Sequence, residues 1–345
     1  MPGVSAAPLA LPRFARAADD FPRAVSWSAS GEQLAWGTAS GAVEIVAAKD
    51  GSSLRTVCLP SGGVASLAWN PREPRLCVGG DDGALIFVNG ADGGVTPILE
   101  PSGAWAEHLA WNPKGSKLAV ALGRRARVVA ADGSPLVQLP DVDSTITGIA
   151  WSPDGAQIAC ACYGGVRLFD SKTGRRLRSL DWKGSMLSIA WHPGGRVIAC
   201  GCQDNSVHFW RLPAGKDSQM SGYPAKPKAI GWSHDGKLLA TSGAPEITVW
   251  SFEGKGPEGT TPIQLTAHRE PVTALAFAPM VDMLASGCRG GRGYFWAPEE
   301  VERPVRRFEM TARIETLQWT LAPAEENVLL AATDAKGQVG VWALR

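Results

Sequence analysis

Two pairs of closely spaced cysteines are the residues of this chain with the most evident capacity for chemistry. Cys160 and Cys162 lie two residues apart, and Cys200 and Cys202 repeat that arrangement 40 residues later. Neighbouring thiols can bind zinc. On a β-strand, however, residues i and i+2 are about 7 Å apart, whereas a disulfide needs β-carbons about 3.8 Å apart. We therefore expect four small, buried core residues, and predict no metal site and no cofactor.

The histidines offer no arrangement that is typical of a catalytic site. The surrounding sequence predicts turns at His192 and His234 and a strand at His208, and only His108 is expected near a loop that could face a ligand. Their spacing does not resemble a helical metal site. None lies beside a Ser or Cys nucleophile with a third, orienting group.

Paired carboxylates and a glycine-rich segment are explained by turns. Asp81 with Asp82, and Asp141 with Asp143, lie in predicted turns or loops, where solvated acids are common. Residues 287–293 (GCRGGRG) lack a following helix whose N-terminal amides could bind phosphate. We therefore predict that the protein is not an enzyme.

A repeat defines the elements that must position these residues. A large aromatic ends an Ala- or Gly-rich segment eight times, at intervals of 40 to 45 residues: Trp27, Trp69, Trp111, Trp151, Trp191, Trp232, Phe277 and Trp319. A repeat of this length with four short apolar runs per unit predicts an all-β fold, a β-propeller with one four-stranded antiparallel blade per unit. In the seventh unit we expect strands at 272–277, 283–288, 293–296 and 304–310.

The units resemble WD repeats, and the resemblance covers nearly the whole chain from about residue 9 to residue 345. Most units lack the Gly-His and Trp-Asp pairs of that family, although Ala267 and His268 are similar to the first pair. In the family an Asp, a His, a Ser and a Trp can form a hydrogen-bonded tetrad. The resemblance places Cys202 and Cys288 at the Ser position and Gly290 at the Asp position. We therefore expect the blades to depend mainly on aromatic and aliphatic packing.

The order of strands predicts how the ring closes. The chain ends on the third strand of the eighth unit, at 338–344, so that unit lacks an outer strand of its own. Residues 9–16 precede the first inner strand and are expected to supply the missing strand. The prediction is one domain, 1–345, with eight blades closed by the N-terminal strand. The alternative is a seven-bladed ring with one unpaired unit, because most WD-repeat proteins have seven blades.

Composition limits the classes of partner. The 34 basic and 33 acidic residues give a net charge of +1, which does not favour a nucleic-acid binder. No apolar run of about 18 residues predicts a membrane span, and the first residues do not resemble a secretory signal. Seven cysteines without framework spacing favour reduced thiols. We expect a cytoplasmic monomer, and the Ala-, Gly- and Arg-rich composition favours a bacterial source.

The resemblance implies a binding surface on the loops before each inner strand and between the second and third strands. Arg23 and His108 are expected there, and the predicted partner-binding residues on this face are Trp105, Arg124, Arg125, Tyr163, Trp182, Lys183, Gln203, Tyr223, Lys226, Arg269, Arg289, Arg292 and Arg313. Exposed Trp, Tyr and Arg are enriched in interface hot spots. Trp105 and Trp182, unlike eleven other tryptophans, are not explained by the repeat.

These observations predict a noncatalytic scaffold that binds a protein or peptide around the channel. Three alternatives stay open. In the first, the loop-face residues are solvated turn residues, with the tryptophans folded back onto neighbouring blades. In the second, the mouth of the channel is an active site. In the third, the thiols bind a metal.

Overall fold

The computed structural model describes residues 7–59, 61–212, 214–322 and 327–344, and its regular structure consists of β-strands. The first sixteen, in chain order, are β1 (Phe14–Ala17), β2 (Pro22–Trp27), β3 (Gln33–Thr38), β4 (Ala42–Ala47), β5 (Ser53–Cys58), β6 (Val64–Trp69), β7 (Arg75–Gly80), β8 (Leu85–Asn89), β9 (Val95–Leu99), β10 (His108–Trp111), β11 (Lys117–Leu122), β12 (Arg125–Ala130), β13 (Pro135–Gln138), β14 (Gly148–Trp151), β15 (Gln157–Asp170) and β16 (Arg176–Ser185). The remaining strands are β17 (Ala190–Trp191), β18 (Val197–Gly201), β19 (Val207–Arg211), β20 (Lys216–Met220), β21 (Ile230–Trp232), β22 (Leu238–Thr241), β23 (Ile247–Ser251), β24 (Ile263–Leu265), β25 (Val272–Phe277), β26 (Leu284–Cys288), β27 (Arg292–Trp296), β28 (Arg306–Glu309), β29 (Ile314–Ala322), β30 (Asn327–Asp334) and β31 (Gln338–Leu344). No helix in the described ranges is long and apolar enough to cross a bilayer.

The strands form eight antiparallel sheets, which we number as blades in chain order. They are blade 1 (β2 to β5), blade 2 (β6 to β9), blade 3 (β10 to β13), blade 4 (β14 to β16), blade 5 (β17 to β20), blade 6 (β21 to β24), blade 7 (β25 to β28) and blade 8 (β29 to β31 with β1). In blade 4 the second and third strands are continuous as β15, and the positive φ angles of Gly164 (90°) and Gly165 (119°) mark its turn. The predicted eight-bladed β-propeller is confirmed, and the seven-bladed alternative is wrong.

The N-terminal strand closes the ring, as predicted. β1 pairs with β31, from Phe14 opposite Val341 to Ala17 opposite Gln338. The strand begins later than the predicted residue 9, because the preceding residues pair with another blade. The Ala10 amide donates to the Arg307 carbonyl of β28 over 2.7 Å, and the Trp342 indole donates to the Ala10 carbonyl over 3.2 Å. The N-terminal segment therefore joins blade 7 to blade 8.

The aromatic at the end of each inner strand packs between neighbouring blades. Five of these indoles also donate from Nε1 to a backbone carbonyl of the preceding blade, over 2.7 to 3.2 Å: Trp27 to Gln318, Trp111 to Ala68, Trp151 to Ala110, Trp232 to Ala190 and Trp319 to Ala276. Each acceptor immediately precedes the aromatic of its own strand, so the contact repeats with the blades. The bond from Trp27 crosses from blade 1 to blade 8.

Two buried indoles at equivalent positions lack this bond. Nε1 of Trp69 and Nε1 of Trp191 have no hydrogen-bond acceptor among the described residues, and Phe277 has no donor to offer. At three of the eight junctions between blades, packing of the aromatic side chain therefore joins the blades without this hydrogen bond. Where the hydrogen bond is present, it also fixes the orientation of the indole ring.

The pair Trp151→Phe and Trp69→Phe separates the hydrogen bond from ring packing. Both side chains are almost fully buried, but only Trp151 has an acceptor, the Ala110 carbonyl at 2.7 Å. We expect Trp151→Phe to lower the free energy of unfolding by about 1 to 2 kcal/mol more than Trp69→Phe, because it leaves a carbonyl without its donor. Urea unfolding followed by fluorescence measures the difference. Equal losses would contradict a role for the bond.

Candidate functional site

The inner strands surround a cavity of about 410 Å³ at the mouth of the central channel. Most of its lining is backbone or aliphatic side chain, and its polar groups come from Arg23, Ser66, Glu107, His108 and Thr316. Burial lowers the pKa of His108, and the charge of Glu107 opposes that shift. Within the described ranges, no group of three or more His, Cys, Asp or Glu side chains is arranged to hold a metal ion.

Arg23 connects the channel mouth to an exposed tryptophan. Its Nη1 lies 2.8 Å from Oδ2 of Asp81, whose Oδ1 accepts the Gly63 amide over 2.8 Å. The Arg23 guanidinium carbon lies 5.5 Å from the centre of the Trp105 ring, and Trp105 is 49% exposed. A cation–π contact of this kind holds the ring in place while leaving half of its surface open to a partner.

The paired carboxylates are occupied by contacts within the protein. Oδ2 of Asp82 accepts a hydrogen bond from Ser61 over 2.5 Å. Asp143 lies 2.7 Å from a guanidinium nitrogen of Arg167, which is itself only 7% exposed, and this hydrogen bond lowers the pKa of Asp143. Asp141 lies 3.5 Å from Arg124. These acids therefore hold turns and loops in place.

The two cysteine pairs lie in separate apolar clusters. Cys160 and Cys162 pack with Trp151 between blades 3 and 4, whereas Cys200 and Cys202 pack with Trp210 between blades 4 and 5. All four are buried and free. Burial raises the pKa of Cys160, and it raises the pKa of Cys202 to about 11. Both thiols are therefore protonated at neutral pH, which makes them poor ligands and nucleophiles.

The loop face consists of the connections before each inner strand and the turns between the second and third strands of each blade. Eleven of the thirteen predicted partner-binding residues are exposed on it: Trp105, Arg124, Arg125, Tyr163, Lys183, Gln203, Lys226, Arg269, Arg289, Arg292 and Arg313. They come from blades 3 to 8 and their connections, so they surround the channel rather than forming one compact group.

The other two predicted residues, Trp182 and Tyr223, are half-buried and brace the blades. The Trp182 ring stacks on His208 with 3.9 Å between centroids, and Trp210 packs on His208 at 4.5 Å. The Tyr223 hydroxyl lies 2.8 Å from Oγ1 of Thr241 and accepts the Trp250 indole over 2.9 Å. Trp182 thus folds back onto a neighbouring blade.

Family comparison decides the type of repeat. The family model described as "WD domain, G-beta repeat" matches residues 51–89, 133–170, 174–211 and 259–296. The chain is an eight-bladed β-propeller that contains WD repeats. Each match begins near the outer strand of one blade and ends at the third strand of the next, so the sequence unit is offset from the blade. That offset explains why the last blade takes its outer strand from the N-terminal segment.

Solved structures support the fold of this propeller. The crystal structure of the computationally designed Ika8 protein superposes with a TM-score of 0.80 at 17% identity, covering 99% of this chain and 100% of the designed one. At that identity the similarity concerns the fold alone. No curated protein matches the sequence.

Blade 7 of the propeller retains three members of the WD-repeat tetrad. The Ser286 hydroxyl lies 2.8 Å from Nε2 of His268 and accepts the Trp296 indole over 2.8 Å. The expectation that Cys288 occupies the Ser position is therefore wrong, because Ser286, two residues earlier on β26, faces both partners. The spacing of ten residues between Ser286 and Trp296 could have identified it; Cys200 stands at the same distance from Trp210.

The missing Asp leaves the histidine neutral. Nδ1 of His268 is buried without a partner among the described residues, and burial lowers the pKa of His268 to about 3. The unfolded chain, with a histidine pKa of about 6.5, binds a proton that the folded chain rejects. The stability that depends on neutral His268 is therefore present above about pH 6.5 and is lost as the pH falls towards about 3.

Replacing His268 by Gln should make the stability of the propeller less sensitive to acid. Between about pH 7.5 and pH 5 we expect wild type to lose more of its free energy of unfolding than His268→Gln does, because only wild type gains a proton there on unfolding at this position. Urea unfolding at the two pH values measures this. His234→Gln, in a partly exposed turn, is the control. Equal pH dependence in wild type and His268→Gln would contradict the neutral state.

Proposed function

We propose that this propeller is a noncatalytic scaffold that binds a protein or peptide on its loop face, around the central channel. The observation that carries the proposal is the set of eleven exposed loop-face residues, with the half-exposed Trp105 held open by Arg23. Large aromatic and arginine side chains contribute most of the binding energy in protein interfaces. In the same structure, the two cysteine pairs are buried and the paired carboxylates are occupied by contacts within the protein.

The N-terminal closure supports a single functional unit. Because β1 completes blade 8, both ends of the chain contribute to the same sheet. We infer that residues 1–345 act as one domain, and that a partner binds the ring as a single surface.

An active site at the channel mouth is the second candidate. The observation in its favour is the cavity that contains His108 and Glu107. The scaffold is favoured because Arg23, the remaining charged group of the cavity, is already paired with Asp81, and because the other side chains include Leu67, Ile149 and Ile189. His108→Ala should therefore leave the set of proteins that the scaffold captures unchanged.

The test of the loop face uses the double variant Trp105→Ala with Arg289→Glu. Both side chains are exposed, so the fold should be retained, whereas Trp182→Ala would remove the stack on His208. We expect the double variant to lose the proteins that immobilised wild type captures from native extract, measured by quantitative mass spectrometry. The variant Lys172→Glu with Met280→Ala, on the opposite face, is the control and should retain them. Full capture by the loop-face variant would contradict the proposal.

A further inference from the structure

A cavity of about 320 Å³ opens on the loop face at blade 3, and we call it the arginine pocket. Loop-face segments meet around it: the connection before β10 supplies Ser102, the turn between β11 and β12 supplies Arg124, and the connection before β14 supplies Asp141. Arg125 and Arg127 line it from β12. Three arginines of one blade therefore surround a single cavity.

The pleat of β12 directs two of these arginines to the same side. Arg125 and Arg127 alternate with Ala126 and Val128, which are buried in the apolar cluster between blades 3 and 4. Successive side chains of a strand point to opposite faces, so the two arginines share the face that lines the cavity with Ser102. Their convergence therefore follows from the position of the strand.

The guanidinium groups of this pocket make few contacts within the protein. Oδ2 of Asp141 lies 3.5 Å from Nη2 of Arg124 and 3.8 Å from Nε of Arg125. Both distances exceed the length of a charge-assisted hydrogen bond, about 2.7 to 2.9 Å. The half-buried Arg127 has neither an ion pair nor a side-chain hydrogen bond within the described ranges. The donors of all three groups are therefore available to a ligand.

The charge of the pocket indicates which anion it suits. Three arginines and one aspartate give its lining a net charge of +2. A carboxylate carries one negative charge, whereas a phosphate monoester carries about 1.5 to 2 at neutral pH and has three strong acceptor oxygens. A planar guanidinium group pairs with two such oxygens at once. The lining therefore matches a phosphate group better than a carboxylate.

We propose that the arginine pocket binds a phosphorylated side chain of the partner, so this inference rests on the proposed function. Within the described ranges, the lining includes no aromatic side chain on which a nucleotide base could stack. The connection that supplies Ser102 also carries the exposed Trp105, which is available to residues that flank the phosphorylated one. A phosphate group on a protein segment therefore suits this surface better than a nucleotide, and arginine clusters recognise such segments.

Three degenerate, dye-labelled peptide libraries test the proposal by fluorescence polarisation. They are identical except at the central residue, which is phosphoserine in the first, Glu in the second and Ser in the third. We expect wild type to bind the first at least about tenfold more tightly than the others, because only phosphate supplies a second negative charge. Equal binding of the first and second libraries would overturn the preference for phosphate.

Variants locate the bound phosphate. Arg125→Gln with Arg127→Gln should weaken the phosphoserine library at least about tenfold. Arg72→Gln with Lys114→Gln is the matched control and should bind like wild type, because it also removes two positive charges, from exposed turns on the opposite face. If the pocket variant melts below wild type, Arg125→Gln alone, at a side chain that is 62% exposed, replaces it. Unchanged binding by a folded pocket variant would overturn the proposal.

Inorganic phosphate distinguishes the source of the phosphate group. It has no flanking residues, so we expect it to bind at least about a hundredfold more weakly than the phosphoserine library in a competition measurement. Inorganic phosphate that binds as tightly as the library would assign the pocket to a free anion and overturn the proposal.

The two proposals fail in different ways. If the phosphoserine library does not bind while Trp105→Ala with Arg289→Glu still abolishes capture from extract, the phosphate ligand is wrong and the loop-face scaffold stands. If the library binds through the arginine pocket while that double variant retains every captured protein, the pocket stands and the broader loop-face surface is wrong.

Discussion

The spacing between neighbouring blades is the constraint on which the rest of this structure depends. In the part of the chain that the structure describes, no backbone ladder joins the inner strands of adjacent blades, so side chains must fill and fix the gap. A tryptophan ring is large enough to fill the distance between packed sheets, and its indole N–H can reach the backbone of the preceding blade. Five indoles do so at the same position of the repeat, and Trp27 extends the pattern across the junction between blades 1 and 8. Together with β1, this contact makes the ring continuous.

The same constraint determines which residues are available for function. Small residues such as Cys160 and Cys200 are needed where strands crowd between blades, and their thiols are buried as a result. Carboxylates such as Asp143 are used to fix loops against arginines. The exposed residues of the loop face do not take part in the packing between blades. There, exposed arginines, lysines and Trp105 surround the channel. Binding of a macromolecular partner is the activity that this distribution favours.

The period of the aromatics was enough to predict the fold, the number of blades and the closure by the N-terminal segment, because these follow from counting strands. Side-chain direction was harder to predict. Trp182 and Tyr223 were expected on the binding surface, yet each is turned towards another side chain, His208 or Thr241. Ser286 was missed because its partners lie on separate strands.

The most direct test of this account is hydrogen exchange at the indole N–H groups, followed by NMR with ¹⁵N-labelled tryptophan. The account predicts slow exchange, close to the rate of global unfolding, for the five indoles that donate between blades. It predicts fast exchange for Trp105, which is half-exposed on the loop face. Exchange of the five at the rate of Trp105 would contradict the central role of the contact between blades.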